Sequence, residues 1–300
     1  MKVYNLIYIL STLLVYQLLQ LESDYIDIGL QVVCCIGIMT LGIAHGSIDN
    51  VIFGVDSKKS NKVFIFVYVL LVLAFIGLWA ISAFAALALF LLISAYHFGQ
   101  SQFEEYKFNA PIMSKFLYLI WGSLILFSPI FFHQENILLL HDVSELSPSI
   151  TIFLEDHVSV IFFGLSAIFL LVFISMCYKF SLRASTIFTE LAMIIYIVLS
   201  FKLLPTFIAF SLFFIFIHSL RVVIQEYRYC RLSSKIDSGK EFFHLCLPLT
   251  SVSIVGILLI AIVLYFLNMV SLIPFALIVV LSGITFPHFI VMEKFYANLR

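Results

Sequence analysis

Charge is scarce in this chain. Of its 300 residues only 11% are Asp, Glu, Lys or Arg, and the net charge is −1, which gives no basis for nucleic-acid binding. The five cysteines, Cys34, Cys35, Cys177, Cys230 and Cys246, form no CxxC and no zinc spacing. Adjacent Cys34 and Cys35 lie inside an apolar run and read as packing residues. There is no Walker A loop, no GxGxxG and no GxSxG elbow, which removes the usual nucleotide-binding and serine-hydrolase signatures. HxxxH and HxxHH clusters are also missing, so the membrane di-iron desaturase pattern is excluded. No internal repeat and no low-complexity linker is visible. The apolar run Val3 to Leu21 is too long for a signal-peptide core and lacks an A-x-A-like cleavage site, so it reads as a first membrane span.

What is present is apolar. Hydrophobic residues make up 63% of the chain and the mean hydropathy is +1.15. Repeated apolar runs near twenty residues predict an all-α, polytopic transmembrane helix bundle. Ten spans are expected, at about 3–21, 28–45, 63–81, 83–99, 115–132, 158–178, 187–203, 206–222, 245–267 and 272–291. The longest connections are 133–157 and 223–244. The chain is expected to be one integral membrane domain over 1–300, in which 1–25 adds a span to a core of 26–300.

Basic residues set the expected orientation. Lys58, Lys59 and Lys62, then Lys107 and Lys115, Lys179 and Arg183, Arg228, Arg231, Lys235 and Lys240, and finally Lys294 and Arg300 come after even-numbered spans. Connections after odd-numbered spans carry Glu22, Asp24 and Asp27, then Glu135, Asp142, Glu145, Glu155 and Asp156, with Lys202 the one basic exception. Both termini are therefore expected in the cytoplasm, with the chain a multi-pass protein of the cell membrane.

The histidines divide into two sets. His133, His141, His157 and His244 fall in polar connections and read as solvated surface. His45, His97, His218 and His288 each lie near the cytoplasmic end of an even-numbered span, and so at roughly one membrane depth. Four imidazoles on separate helices at one depth can converge on one ion, and imidazole suits iron, copper, zinc and nickel. Interfacial polar caps are the alternative reading. Carboxylates accompany the set: Asp49 comes one turn after His45, Glu104 two turns after His97, Glu226 two turns after His218, and Glu293 lies just beyond His288. Each can take a ligand's second N–H, or face headgroups as a helix-end charge. Glu190 sits inside a span, where a charge is costly and is usually paired or functional. Arg221 is close enough to a helix end to snorkel. The thirty-three phenylalanines are read mainly as packing and lipid-facing residues.

His45-Gly46-Ser47-Ile48-Asp49, His97-Phe98-Gly99, His218-Ser219 and Pro287-His288 occur in that order on alternate helices. Together they resemble the Brp/Blh family of bacterial and archaeal β-carotene 15,15'-dioxygenases, over about Ile43 to Glu293. The resemblance implies an integral membrane enzyme that uses Fe(2+) and O2 to cleave the central double bond of β-carotene into two retinals. It implies the lipid bilayer as surroundings and a functional link to a retinal-binding rhodopsin. His45, His97 and His218 match family metal ligands, and no side chain beyond the metal site need be catalytic. The family carries a further ligand histidine four residues after the His218 position, where this chain has Val222. His288 is the expected replacement. A three-ligand site, and a member with altered or no catalytic activity in carotenoid handling, stay open, as do a membrane transporter and a haem electron carrier.

Overall fold

The computed structural model describes residues 2–54, 58–134, 148–233, 235–269 and 272–299. The described residues are helical, with no strand among them. In hydrocarbon a backbone must satisfy its own polar groups, and a helix does this within one segment. Nine of the described helices are long and apolar enough to cross a membrane. The apolar helix α1 (Val3–Leu19), with 17 residues, is shorter and sits at the low end of spanning length. The chain is thus an all-α polytopic bundle.

After α1 come α2 (Asp24–Gly37), the short α3 (Asp49–Ile52), α4 (Lys58–Ile81), α5 (Ala83–Phe103), α6 (Pro111–Phe132), α7 (Pro148–Lys179) and α8 (Ala184–Leu203). The series continues with α9 (Thr206–Leu212), α10 (Leu220–Leu232), α11 (Gly239–Phe266) and α12 (Ile273–Leu299). Two π-helical segments interrupt it: Ile38–Gly42 after α2, and Phe213–Ser219 between α9 and α10. Both expected long connections shrink. α7 begins at Pro148 and α10 runs to Leu232, because polar residues such as Glu155, Asp156, Arg228 and Arg231 extend helices past the apolar window. Glu135, His141, Asp142 and Glu145 lie outside the described residues.

The chain forms two compact units. The first comprises Met1–Ile38 and Ser94–Arg221, the second Met39–Ile93 and Val222–Arg300.

The first unit is built on aromatic packing. Phe103 meets Trp121 at 5.9 Å and Phe173 at 5.8 Å between ring centroids, within an apolar cluster that also holds Tyr8, Phe201 and Phe213. Here α5 and α6 touch backbone to backbone. A Cβ added at Gly99 would overlap the backbone of Tyr118, and one at Gly122 would overlap that of Ala95. The first span is part of this unit: Tyr8 shares a 2.6 Å hydrogen bond with Ser200, and Tyr196 donates to the Ile9 carbonyl at 3.1 Å.

In the second unit α4 lies along α12. Trp79 Nε1 donates to Ser282 Oγ at 2.8 Å, and the Phe75 and Phe286 rings pack at 5.5 Å. Ile48, Ile52, Val222, Met292 and Phe295 form its apolar cluster with Cys246. Lys235 and Lys294 donate, each at 2.8 Å, to the carbonyls of Val51 and Phe53 at the end of α3. There their ammonium groups meet carbonyls at the negative end of the short helix.

Candidate metal centre

Helix geometry changes where the histidines sit. The π-helical segment Ile38–Gly42 ends just before His45, and His218 lies inside the segment Phe213–Ser219. A π turn adds a residue to the helical repeat and re-aims the side chains beyond it, and such turns recur at functional sites. After the first one the helix stops: residues 45–48 form a turn before α3. His45 and Asp49 therefore do not share a continuous helical face, contrary to the reading from their spacing.

Within the second unit, His45 and His288 meet edge to face with ring centroids 4.8 Å apart. Both are buried. The Asp49 carboxylate accepts from His288 Nδ1 at 2.9 and 3.1 Å and from the Tyr68 hydroxyl at 3.0 Å. That bond fixes the tautomer: with the proton on Nδ1, the lone pair of His288 is on Nε2, as a metal ligand requires. Gly46 explains its place in the HGS motif, since a Cβ there would come within 3.2 Å of His288 Nδ1.

Within the first unit, His97 and His218 repeat the arrangement, edge to face at 4.9 Å and both buried. The Phe98 and Phe214 rings pack on His218 at 4.6 and 5.4 Å. Ser101 Oγ lies 3.1 Å from His218 Nδ1 and donates its own proton to the Phe98 carbonyl at 2.9 Å. The hydroxyl hydrogen being spent, Ser101 accepts from Nδ1–H, and the His218 lone pair is again on Nε2.

The carboxylates are placed differently from one another. Glu104, in a 3-10 turn after α5, is buried and accepts from the Tyr118 hydroxyl at 2.7 Å. Glu226 on α10 is fully buried, with neither oxygen hydrogen-bonded among the described residues. Glu293 is half-buried on α12. Glu190 is paired, accepting from Gln102 Nε2 at 2.5 Å and the Tyr106 hydroxyl at 2.6 Å. Arg221 does not snorkel; it is 2% exposed and held by Tyr4 and Gln102. His133, expected to be solvated, is half-buried and donates to the Phe201 carbonyl at 2.8 Å. His157 and His244 are exposed. The sequence alone does not single out Ser101, Tyr68 or Gln102. For Ser101 and Gln102 the one signal is the polar run Gln100-Ser101-Gln102 one turn past His97 in an otherwise apolar span, and Tyr68 carries none.

In each unit a buried, edge-on histidine pair, with one ring locked through Nδ1, offers imidazole nitrogen of the kind a divalent transition metal accepts. The fold defines the chain's class as a polytopic bundle of long apolar helices, with buried histidine pairs on them. Within that class its place is specific: the family model described as Beta-carotene 15,15'-dioxygenase matches residues 36–296, and the chain belongs to that family. No curated protein and no solved structure matches it.

Proposed function

We propose that this protein is an iron(II)-dependent dioxygenase of the cell membrane that cleaves the 15,15' double bond of β-carotene, consuming one O2 and yielding two molecules of all-trans-retinal. The observation that carries the reading is the pair of buried, edge-on histidine couples in a chain of this family. His45, His97, His218 and His288 are the proposed ligands. All four offer imidazole nitrogen, a donor type that fits iron(II). Iron(II), when bound, supplies the one-electron chemistry by which O2 reacts with a closed-shell polyene. The protein's own part is binding and positioning. Asp49 and Ser101 hold two imidazoles in the ligating tautomer, and Phe98 and Phe214 fix the His218 ring and keep water from it. Lipid brings the apolar substrate, and a retinal-binding rhodopsin is the proposed recipient of the product.

Val222 favours a second reading. It stands where the family resemblance expects a histidine and is fully buried among apolar neighbours of its unit, so it contributes no ligand. A member with altered specificity, or one that handles carotenoid without cleaving it, fits that substitution. Expression in bacteria that make β-carotene separates the two. Loss of colour with retinal on chromatography is expected. Retained colour, or an apocarotenoid other than retinal, supports the second reading.

A further inference from the structure

Arg221 is among the largest fully buried side chains of the protein, inside a span where an unpaired cation is costly. Its partners explain its survival there and suggest its use. Nε donates to the Tyr4 hydroxyl at 2.8 Å, and the guanidinium lies 4.9 Å from the centre of the Tyr4 ring. Nη1 donates to the carbonyls of Ser101 and Gln102 at 3.4 and 3.1 Å and to Gln102 Oε1. Nη2 lies 3.6 Å from Glu105 Oε1, and Glu105 also pairs with Lys2. The Gln102 amide then passes the contact on to Glu190 in α8, which Tyr106 also holds.

The chain positions are informative. Arg221 is three residues after His218, and Ser101 and Gln102 are four and five after His97. Arg221 therefore ties together, from about one helical turn beyond the rings, the two helices that carry the histidines. Ser101 is common to both links: its carbonyl accepts from Arg221, and its hydroxyl accepts from His218 Nδ1. We propose that Arg221, braced by Tyr4, Gln102 and Glu190, is a positioning residue that sets the register of the His97 and His218 helices and thereby the tautomer of His218. This rests on the reading of those two histidines as ligands. A lysine cannot replace it, because a single ammonium cannot span acceptors on two carbonyls, an amide and a phenol as a planar fork does.

The test uses the full chain in lipid, with two readouts on Arg221→Lys, Tyr4→Phe and Ser101→Ala. The first is the nitrogen NMR of labelled histidine in metal-free protein. The wild type should show His218 protonated at Nδ1, and Arg221→Lys and Ser101→Ala should each give a mixture of tautomers. The second is titration with Co(II) alone, monitored by its visible bands. Arg221→Lys should weaken binding about 10–100-fold, the range found for groups that orient a metal ligand, and Tyr4→Phe should weaken it less. If Arg221→Lys lowers the unfolding midpoint but leaves the His218 signal unchanged and Co(II) affinity within about twofold, Arg221 is only structural and the proposal is overturned. Should Arg221→Lys fail to fold, Tyr4→Phe decides by the same criteria. Co(II) binding that ignores His97→Ala and His218→Ala refutes the ligand assignment, and the metal-free NMR still judges the clamp.

Discussion

At the scale of single residues, orientation decides what a histidine can do. The Asp49 carboxylate holds His288 through Nδ1 and is itself held by Tyr68. Asp49→Asn keeps the shape but can no longer accept with charge from that ring, and charge-assisted bonds are roughly twice as strong as neutral ones. Iron affinity, measured by competition with a chelator, should fall about 10–100-fold, and Tyr68→Phe should cost less. The four histidines are legible in the sequence because each interrupts the end of an apolar run. The partner of Asp49 is not. Spacing along the chain points to His45, but the turn at 45–48 breaks the helix, and the carboxylate reaches His288 on α12. Ser101 is invisible for another reason. Serine is common in membrane helices, where it usually bonds its own preceding turn, and nothing local shows that the ring just before α10 will meet it.

At the scale of elements, two small residues govern how closely helices approach. Gly99 and Gly122 sit where α5 and α6 meet backbone to backbone. Helix propensity favours alanine over glycine by about 0.8–1 kcal/mol, yet here the added methyl meets main chain that cannot rotate away. Overpacking of this kind costs about 1–3 kcal/mol or more, so packing wins. Gly99→Ala and Gly122→Ala should lower the thermal midpoint in detergent and, by parting α5 from α6, disturb His97 two residues before Gly99. Gly77→Ala is the matched control: it is helical, exposed, and has nothing within 4 Å of its added Cβ, so its midpoint should hold or rise. The helices themselves are legible from hydropathy alone. Their π turns are not, since a one-residue insertion in the repeat leaves apolar composition unchanged.

At the scale of the whole molecule, the pattern of basic residues makes a prediction independent of the metal. Lys and Arg cluster after even-numbered spans, so reporter fusions at Lys240 and at residue 142 should lie on opposite sides of the membrane, with Lys240 cytoplasmic. Fusions that report the same side would remove the common depth of the four histidines. Burial of Arg221 and Glu190 shows what patterning cannot reveal. Both read as isolated charges in apolar sequence, and their partners come from α1 and α5, which only the fold brings to them.

The most direct measurement is the iron content of purified protein reconstituted with Fe(2+) without oxygen, for the wild type and for alanine at each of the four histidines. One iron per chain is expected, lost or strongly reduced in His45→Ala, His97→Ala, His218→Ala and His288→Ala alike, and kept in His133→Ala. Two ions per chain, each lost with only one pair, or full iron retained in His288→Ala, would contradict a single four-histidine centre.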